Sequence, residues 1–459
     1  MREIIHAGAS GTRLRMSTAR ILRGPGTAAA GTAAPGPTPT RRRPLVVLAL
    51  CWLVVLFDGM DVNVYGAVMP RMLADPGTGL TPATAGTVGS WTTFGMLIGA
   101  LVAGNLTDWA GRRPVLVGGT LLFSAGSALC ATAQGVEVFG LGRFVTGLGL
   151  GGVMPVCLSM VMEFAPGARA ALTAGALMTS YHVGGMLATV LGLTLADDSG
   201  WRAVFWAGAV PALVAVPLLL WRLPESPAVL LAKGHTAEAR RLAHRYGLRP
   251  PHATTAPPAG ARARLHAAAA LFRGTGRRAT PLLWSASFCG LLLVYGVSTW
   301  LPQLMRAAGY GPTSSVAFLL AINAGGIVGM LIAGAVATRF GAARVSAVWF
   351  LLTAAGALLL ALPLPLPLTY VIVTVTGIWL FSAQVMVYAT VPTLYPAPQV
   401  SAGLGWTTGV GRLGAVVGPA LGGTVVAHGA QQWAFVTFAA AGLTGALAIH
   451  LAGRTARKA

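Results

Sequence analysis

The 459-residue sequence predicts an all-α membrane protein, with twelve transmembrane helices in two pseudo-symmetric six-helix bundles. Three observations carry this. Hydrophobic residues make up 55% of the chain and charged residues only 9%, with a mean hydropathy of +0.71, whereas a soluble domain carries roughly a quarter charged residues. Twelve segments are apolar over about 20 residues each, the length that crosses a bilayer. The halves also repeat: Pro82, Gly104 and Gly111 recur as Pro312, Gly334 and Gly341, each displaced by 230 residues.

Residues 1–44 are Arg-rich with Glu3 as their single acid. No compact apolar core precedes a small-residue cleavage site, so a disordered cytoplasmic tail is expected, within which Met16 offers a second start. The first bundle takes 45–223, with spans starting near Leu45, Thr81, Pro114, Val136, Ala170 and Trp201. Residues 224–279, rich in Arg, Ala, Pro and His, read as a cytoplasmic linker. The second bundle takes 280–452, with spans starting near Thr280, Pro312, Ala343, Leu368, Gln399 and Gln431, and 453–459 form a short tail.

The formal net charge is +21, and 8 of the 32 basic residues lie before residue 44 and 10 between 224 and 279. Basic residues confined to tails and one loop are the positive-inside pattern, so orientation rather than nucleic acid accounts for the charge. An even number of spans then puts both termini in the cytoplasm. Arg outnumbers Lys heavily, with abundant Ala, Gly and Pro. That bias points to a GC-rich bacterial genome and hence to the bacterial cytoplasmic (inner) membrane.

Cys51, Cys130, Cys157 and Cys289 fall inside apolar runs without paired spacing. They read as small buried hydrophobes; no disulfide framework, metal site or cofactor is expected. No nucleophile–base pair stands out either, which argues against an enzyme.

Eleven acids occur in the chain, none after Glu238. Glu137, Glu163, Asp197, Asp198 and Glu225 lie at helix ends or in loops, but Asp58 and Asp61, in "LFDGMDVNVYG", are deep in the first span. A charge there costs on the order of 3 kcal/mol on insertion scales, so such residues face the bundle interior and are usually functional. The i, i+3 spacing puts both on one helix face, which Tyr65 continues. Two carboxylates sharing a low-dielectric site repel one another, which makes the pair a proton acceptor that can load and unload. The alternative is an aspartate neutralised purely to hold helices together.

Basic residues inside spans are few. Arg143 in "LGRFVTG" is a plausible ion-pair partner for a first-span aspartate and a candidate substrate contact. Arg412 in "GVGRLG" lies in a half without acids. A planar guanidinium lacking a counter-ion is an expected carboxylate site, the alternative being a pair with Asp58 or Asp61 across the cavity. His182, displaced by 230 residues from Arg412, reads either as cavity-facing and substrate-binding or as a satisfied core histidine. Trp300, Trp379, Tyr388 and Trp406 suggest an aromatic pocket or an interfacial belt.

"GLGLGG" (147–152) follows no strand, so Gly147 and Gly151 read as a small-xxx-small packing face rather than a dinucleotide loop, as do Gly414 and Gly418. "GNLTDWAGRR" (104–113) resembles the signature of the major facilitator superfamily in the loop after the second span. Gly104 allows close helix approach, Asp108 can pair across the interface, Gly111 turns the chain, and Arg112 and Arg113 hold the loop on the cytoplasmic side. Together they form a conformational latch. The second copy has Thr338, Ala342 and Ala343 at the charged positions, so the latch is lopsided.

Within that superfamily, "DGMD" resembles the D-G-x-D element of the aromatic acid:proton symporters. The likeness continues through "RFVTGLGLGGVMP", "GWRAVFWAGAVPALVAVPLLLWRLPESP", "YGVSTWLPQLMRAAG" and "GVGRLGAVVGPALGG", covering most of 45–430. The resemblance implies a transporter taking up benzoate-like acids with protons, for which Asp58 and Asp61 are needed. Two departures stand out: Val400 where relatives carry an arginine after "YP", and Ala228 after "PESP" where related porters have another. The reading from sequence is proton symport of a small aromatic acid by alternating access, by a monomer in the lipid bilayer. Alternatives are a proton-coupled efflux antiporter of drugs or metabolites, which "GAVVGPALGG" faintly suggests, and a transport-dead membrane sensor.

Overall fold

The computed structural model describes residues 43–165, 170–248, 269–274 and 276–456. Fourteen α-helices make up nearly all of this: α1 Arg43–Ala74, α2 Pro82–Trp109, α3 Arg112–Thr132, α4 Val136–Phe164, α5 Ala170–Asp198, α6 Trp201–Arg222, α7 Pro227–Ala232, α8 Thr236–Tyr246, α9 Gly276–Ala307, α10 Pro312–Phe340, α11 Ala342–Leu360, α12 Leu366–Leu394, α13 Ala397–Ala427 and α14 Gln431–Ala456. Twelve of them, all but α7 and α8, are long and apolar enough to cross a membrane; the shortest, α11 at 19 residues, spans about 28 Å at 1.5 Å per residue. The tail 1–42 and residues 249–268 and 275 of the linker lie outside the described residues. The described part of the linker holds α7 and α8, which the sequence reading did not separate.

Local signals set the helix starts. Thr81 caps α2 with a reciprocal Thr81–Thr84 capping box, and Pro82 occupies its first turn. Gly111 and Gly341, one repeat apart, both take positive φ (109° and 86°) ahead of α3 and α11, the conformation a glycine provides cheaply. Asp75, beyond the end of α1, accepts the Trp201 indole N–H at 3.0 Å and the Gly77 amide at 2.9 Å. Those bonds, the indole first, hold its carboxyl below the ordinary carboxylate range.

Small residues set the packing. A Cβ at Gly147 would run into the Thr92 carbonyl and one at Gly151 into that of Met96, so α4 lies directly on α2; in the second half Gly325 and Gly329 do the same for α10 on α12. Likewise Gly184 meets the Leu56 carbonyl (α5 on α1), while Gly414 and Gly418 meet those of Phe288 and Leu292 (α13 on α9). The repeat legible in sequence is thus a repeat of helix pairs.

An even number of spans puts Arg43 and Ala456 on one face, the terminal face. The halves meet toward the opposite face. There a Cβ on Gly86 of α2 would lie 2.8 Å from the Gly423 Cα of α13, and Gly66 of α1 abuts the Ser298 carbonyl of α9. Ser90 Oγ donates to the Val416 carbonyl at 2.6 Å and Arg306 Nη1 to that of Pro70 at 3.3 Å. Five turns along the same helix faces, Gly104 and Gly405 have nothing within 4 Å. The interface is closed at one end and parted at the other.

Candidate functional site

Asp58 and Asp61 sit at the middle of α1, each 1% exposed. Arg143 of α4 donates from Nη1 to Asp61 Oδ2 at 3.0 Å, a buried ion pair. Ser127 of α3 lies 3.4 Å from Asp61 Oδ1 while donating to the Phe205 carbonyl at 2.9 Å, in a space left by Gly208 of α6. The Arg143 guanidinium packs 5.4 Å from the Tyr65 ring and 5.9 Å from that of Phe205. Tyr65 spends its hydroxyl on the Ala85 carbonyl at 2.8 Å. The first-span aspartate that Arg143 holds is therefore Asp61, and Tyr65 and Arg143 form one closed layer around it.

Asp58 is different. Neither of its carboxyl oxygens has a hydrogen-bond partner. Two charges act on it, the opposite one of Arg412, on α13 of the other half, and the like one of Asp61. Arg412 is half-buried and donates to two backbone carbonyls of the first half, Met96 at 3.3 Å and Gly151 at 3.4 Å, both long bonds. Among the described residues no carboxylate lies within ion-pair distance of it, so the Arg412–aspartate pair considered from sequence is not formed. Around these two groups stand Tyr181, Tyr295 and Tyr388. Tyr295 reaches across the halves to Met96 Sδ at 3.9 Å. Of these, sequence reasoning named only Tyr388. Trp300 is fully buried with its indole on the Pro419 carbonyl, so it packs rather than lines.

His182 is 1% exposed and faces the α10 residue Asn323 rather than Asp58 or Arg412. The four cysteines are free and buried.

At the terminal face the signature loop is built as a charge network. Arg112 pairs with Glu163 of α4. Glu225 accepts the Arg112 amide at 2.9 Å and the Arg113 amide at 3.3 Å, capping α3 with negative charge. Arg113 also donates to the Leu220 carbonyl. Ser226 and the Ala228 amide bind Glu163 at 2.6 and 2.7 Å, which gives the "PESP" element its role. Asp108 is exposed with no partner among the described residues, and Gly104 touches nothing across the interface. Both lie at the parted end.

Two six-helix bundles around a buried acid pair, with a lone guanidinium facing it across the interface, define a multi-pass membrane transporter rather than an enzyme. The chain matches the Major Facilitator Superfamily over residues 51–381 and 323–459. Among curated proteins it is 31% identical to a benzoate transport protein of Acinetobacter baylyi, over 82% of each chain. It is 33% identical to a gentisate transporter of Corynebacterium glutamicum, over 89% of this chain and 87% of the other. A 4-hydroxybenzoate transporter of Pseudomonas aeruginosa is 31% identical, over 83% and 86%. The fold matches a solved D-xylose–proton symporter with a TM-score of 0.68 at 17% identity, over 89% of this chain and 97% of that one. The chain belongs to the Major Facilitator Superfamily, in the aromatic-acid branch its sequence resembles.

Proposed function

We propose that the chain takes up a small aromatic carboxylic acid by proton symport, through alternating access, as a monomer in the bacterial cytoplasmic membrane with both termini inside. Relatives named for benzoate, gentisate and 4-hydroxybenzoate support the substrate class. The observation that carries the mechanism is the division of labour between the aspartates. Asp61 is committed to Arg143, whereas Asp58 is buried without a partner and faces Arg412 from the other half.

The substrate carboxylate lands on Arg412, whose planar fork matches two oxygens and whose present carbonyl contacts are long enough to give up. The proton lands on Asp58. Once both are bound, each charge facing the interface is neutralised in place, Asp58 by its proton and Arg412 by the carboxylate, and the halves can close over them without burying an unpaired ion. Tyr181, Tyr295 and Tyr388 supply ring contacts. Arg143 and Tyr65 act through Asp61. Gly104, Asp108, Gly111, Arg112 and Arg113 form the latch that draws the terminal face together.

The test is uptake of labelled benzoate-type acids into vesicles with an imposed inward proton gradient. Accumulation collapses with a protonophore, and benzamide, which lacks the carboxylate, fails to compete. Loss of accumulation on removing sodium instead would overturn the coupling.

A further inference from the structure

His182, Asn323 and Asn63 come from α5, α10 and α1, hence from both halves, and each is at most 1% exposed. His182 Nδ1 lies 3.1 Å from Asn323 Oδ1. Asn323 Nδ2 donates to Asn63 Oδ1 at 3.3 Å and to the Leu319 carbonyl at 2.9 Å. Asn63 Nδ2 donates to the Gly59 carbonyl at 2.8 Å. With the Asn323 oxygen accepting, the ring nitrogen facing it carries the proton, a tautomer assigned from the network. The chain of bonds therefore crosses the interface twice through Asn323 and ends on the peptide between Asp58 and Asp61.

The backbone is shaped around this chain. A Cβ at Gly185 would stand 2.7 Å from Asn323 Oδ1 and 2.8 Å from Asn63 Nδ2, and one at Gly326 would stand 2.6 Å from His182 Cε1. Phe381 seals the imidazole edge-on, with ring centroids 4.5 Å apart. Both amide hydrogens of Asn323 and its facing oxygen are engaged, leaving it little to offer a ligand. Broken in place, these bonds leave polar groups stranded without water, which is costly. A movement that parts the halves here and admits water avoids that cost.

We propose that Asn323 is an inter-half strut. It fastens α5 and α1 to α10 in the conformation closed at the opposite face, its release accompanies opening of that face, and Asn63 passes the event to the Asp58–Asp61 turn. His182 is then a positioning residue rather than a carboxylate ligand. This rests on the alternating-access reading.

The experiment places spin labels at Gln134→Cys and Leu362→Cys, exposed positions on the opposite face of the two halves, with the native cysteines replaced, and reads the inter-label distance in nanodiscs. The parent shows a dominant short distance and a minor longer one that substrate or pH redistributes. Asn323→Ala and His182→Ala each raise the ratio of long to short at least about fivefold, as expected for losing a hydrogen bond present in one state only. The double variant adds little beyond either single one. Substrate affinity of Asn323→Ala stays within about twofold of the parent, while its turnover changes. Unchanged distances in both single variants overturn the strut. So does an affinity loss with unchanged distances, which makes His182 a ligand, or failure of both variants to insert, which makes the triad a folding contact. A parent with one distance under every condition instead overturns alternating access itself.

Discussion

Asp58 and Asp61 are one helical turn apart and equally buried, yet a substitution at each has a different cost. Asp61→Asn strands the Arg143 charge, 2% exposed, in an apolar interior; breaking a buried pair this way costs about 3–5 kcal/mol. Asp58→Asn removes a group with no hydrogen bond to lose. We therefore expect Asp58→Asn to unfold at the parent's midpoint in detergent while losing concentrative uptake, and Asp61→Asn to unfold several degrees lower. Asp61→Asn combined with Arg143→Gln should recover the midpoint but not uptake. An Asp61→Asn variant as stable as the parent would remove the ion pair from the account. Sequence reached these charged residues because charges are rare in spans and each demands a reason. It did not reach Asn63, Asn323, Tyr181 or Tyr295. Uncharged polar residues in spans are common, and the partners of Asn323 lie 141 and 260 positions away. The 230-residue repeat matched His182 to Arg412 but carried no information on what its ring touches, which is Asn323 and Phe381.

Among the elements, the α2–α4 pair bears two loads. Its closeness depends on Gly147 and Gly151, and the carbonyls it presents, those of Met96 and Gly151, hold Arg412. Gly151→Ala forces the helices apart, an overpacking that costs about 1–3 kcal/mol, and also shifts the cradle of the guanidinium proposed to bind substrate. Both the thermal midpoint and the apparent affinity for substrate should fall. Gly118→Ala on α3, where a methyl group meets nothing within 4 Å, should change neither. Equal effects at the two sites would sink this assignment. The small-xxx-small spacing made these contacts readable beforehand. The short helices α7 and α8 were not, since α7 is apolar but only 6 residues long and α8 is polar and only 11. Their local signal was present in Ser226, whose hydroxyl caps α7 ahead of Pro227. Glu163 and Glu225 likewise looked like bare helix-end acids until folding brought them to Arg112 and the start of α3.

At the scale of the whole molecule, twelve spans and their duplication follow from composition and spacing. Which end of the interface is shut does not, because the same small-residue faces run the length of α2 and α13. Asp58 is the one buried carboxyl without a partner among the described residues, and that singularity has an electrical consequence. If one proton accompanies one monovalent carboxylate, the loaded and empty carriers bear equal charge, and the cycle moves no current. Membrane voltage, worth about 2.3 kcal/mol per elementary charge per 100 mV, then has nothing to act on. A potassium diffusion potential of either sign, set with valinomycin at fixed internal and external pH, should leave the initial uptake rate unchanged. A rate that rises with inside-negative voltage would mean that a second proton travels, and that Asp61 lets go of Arg143 to carry it.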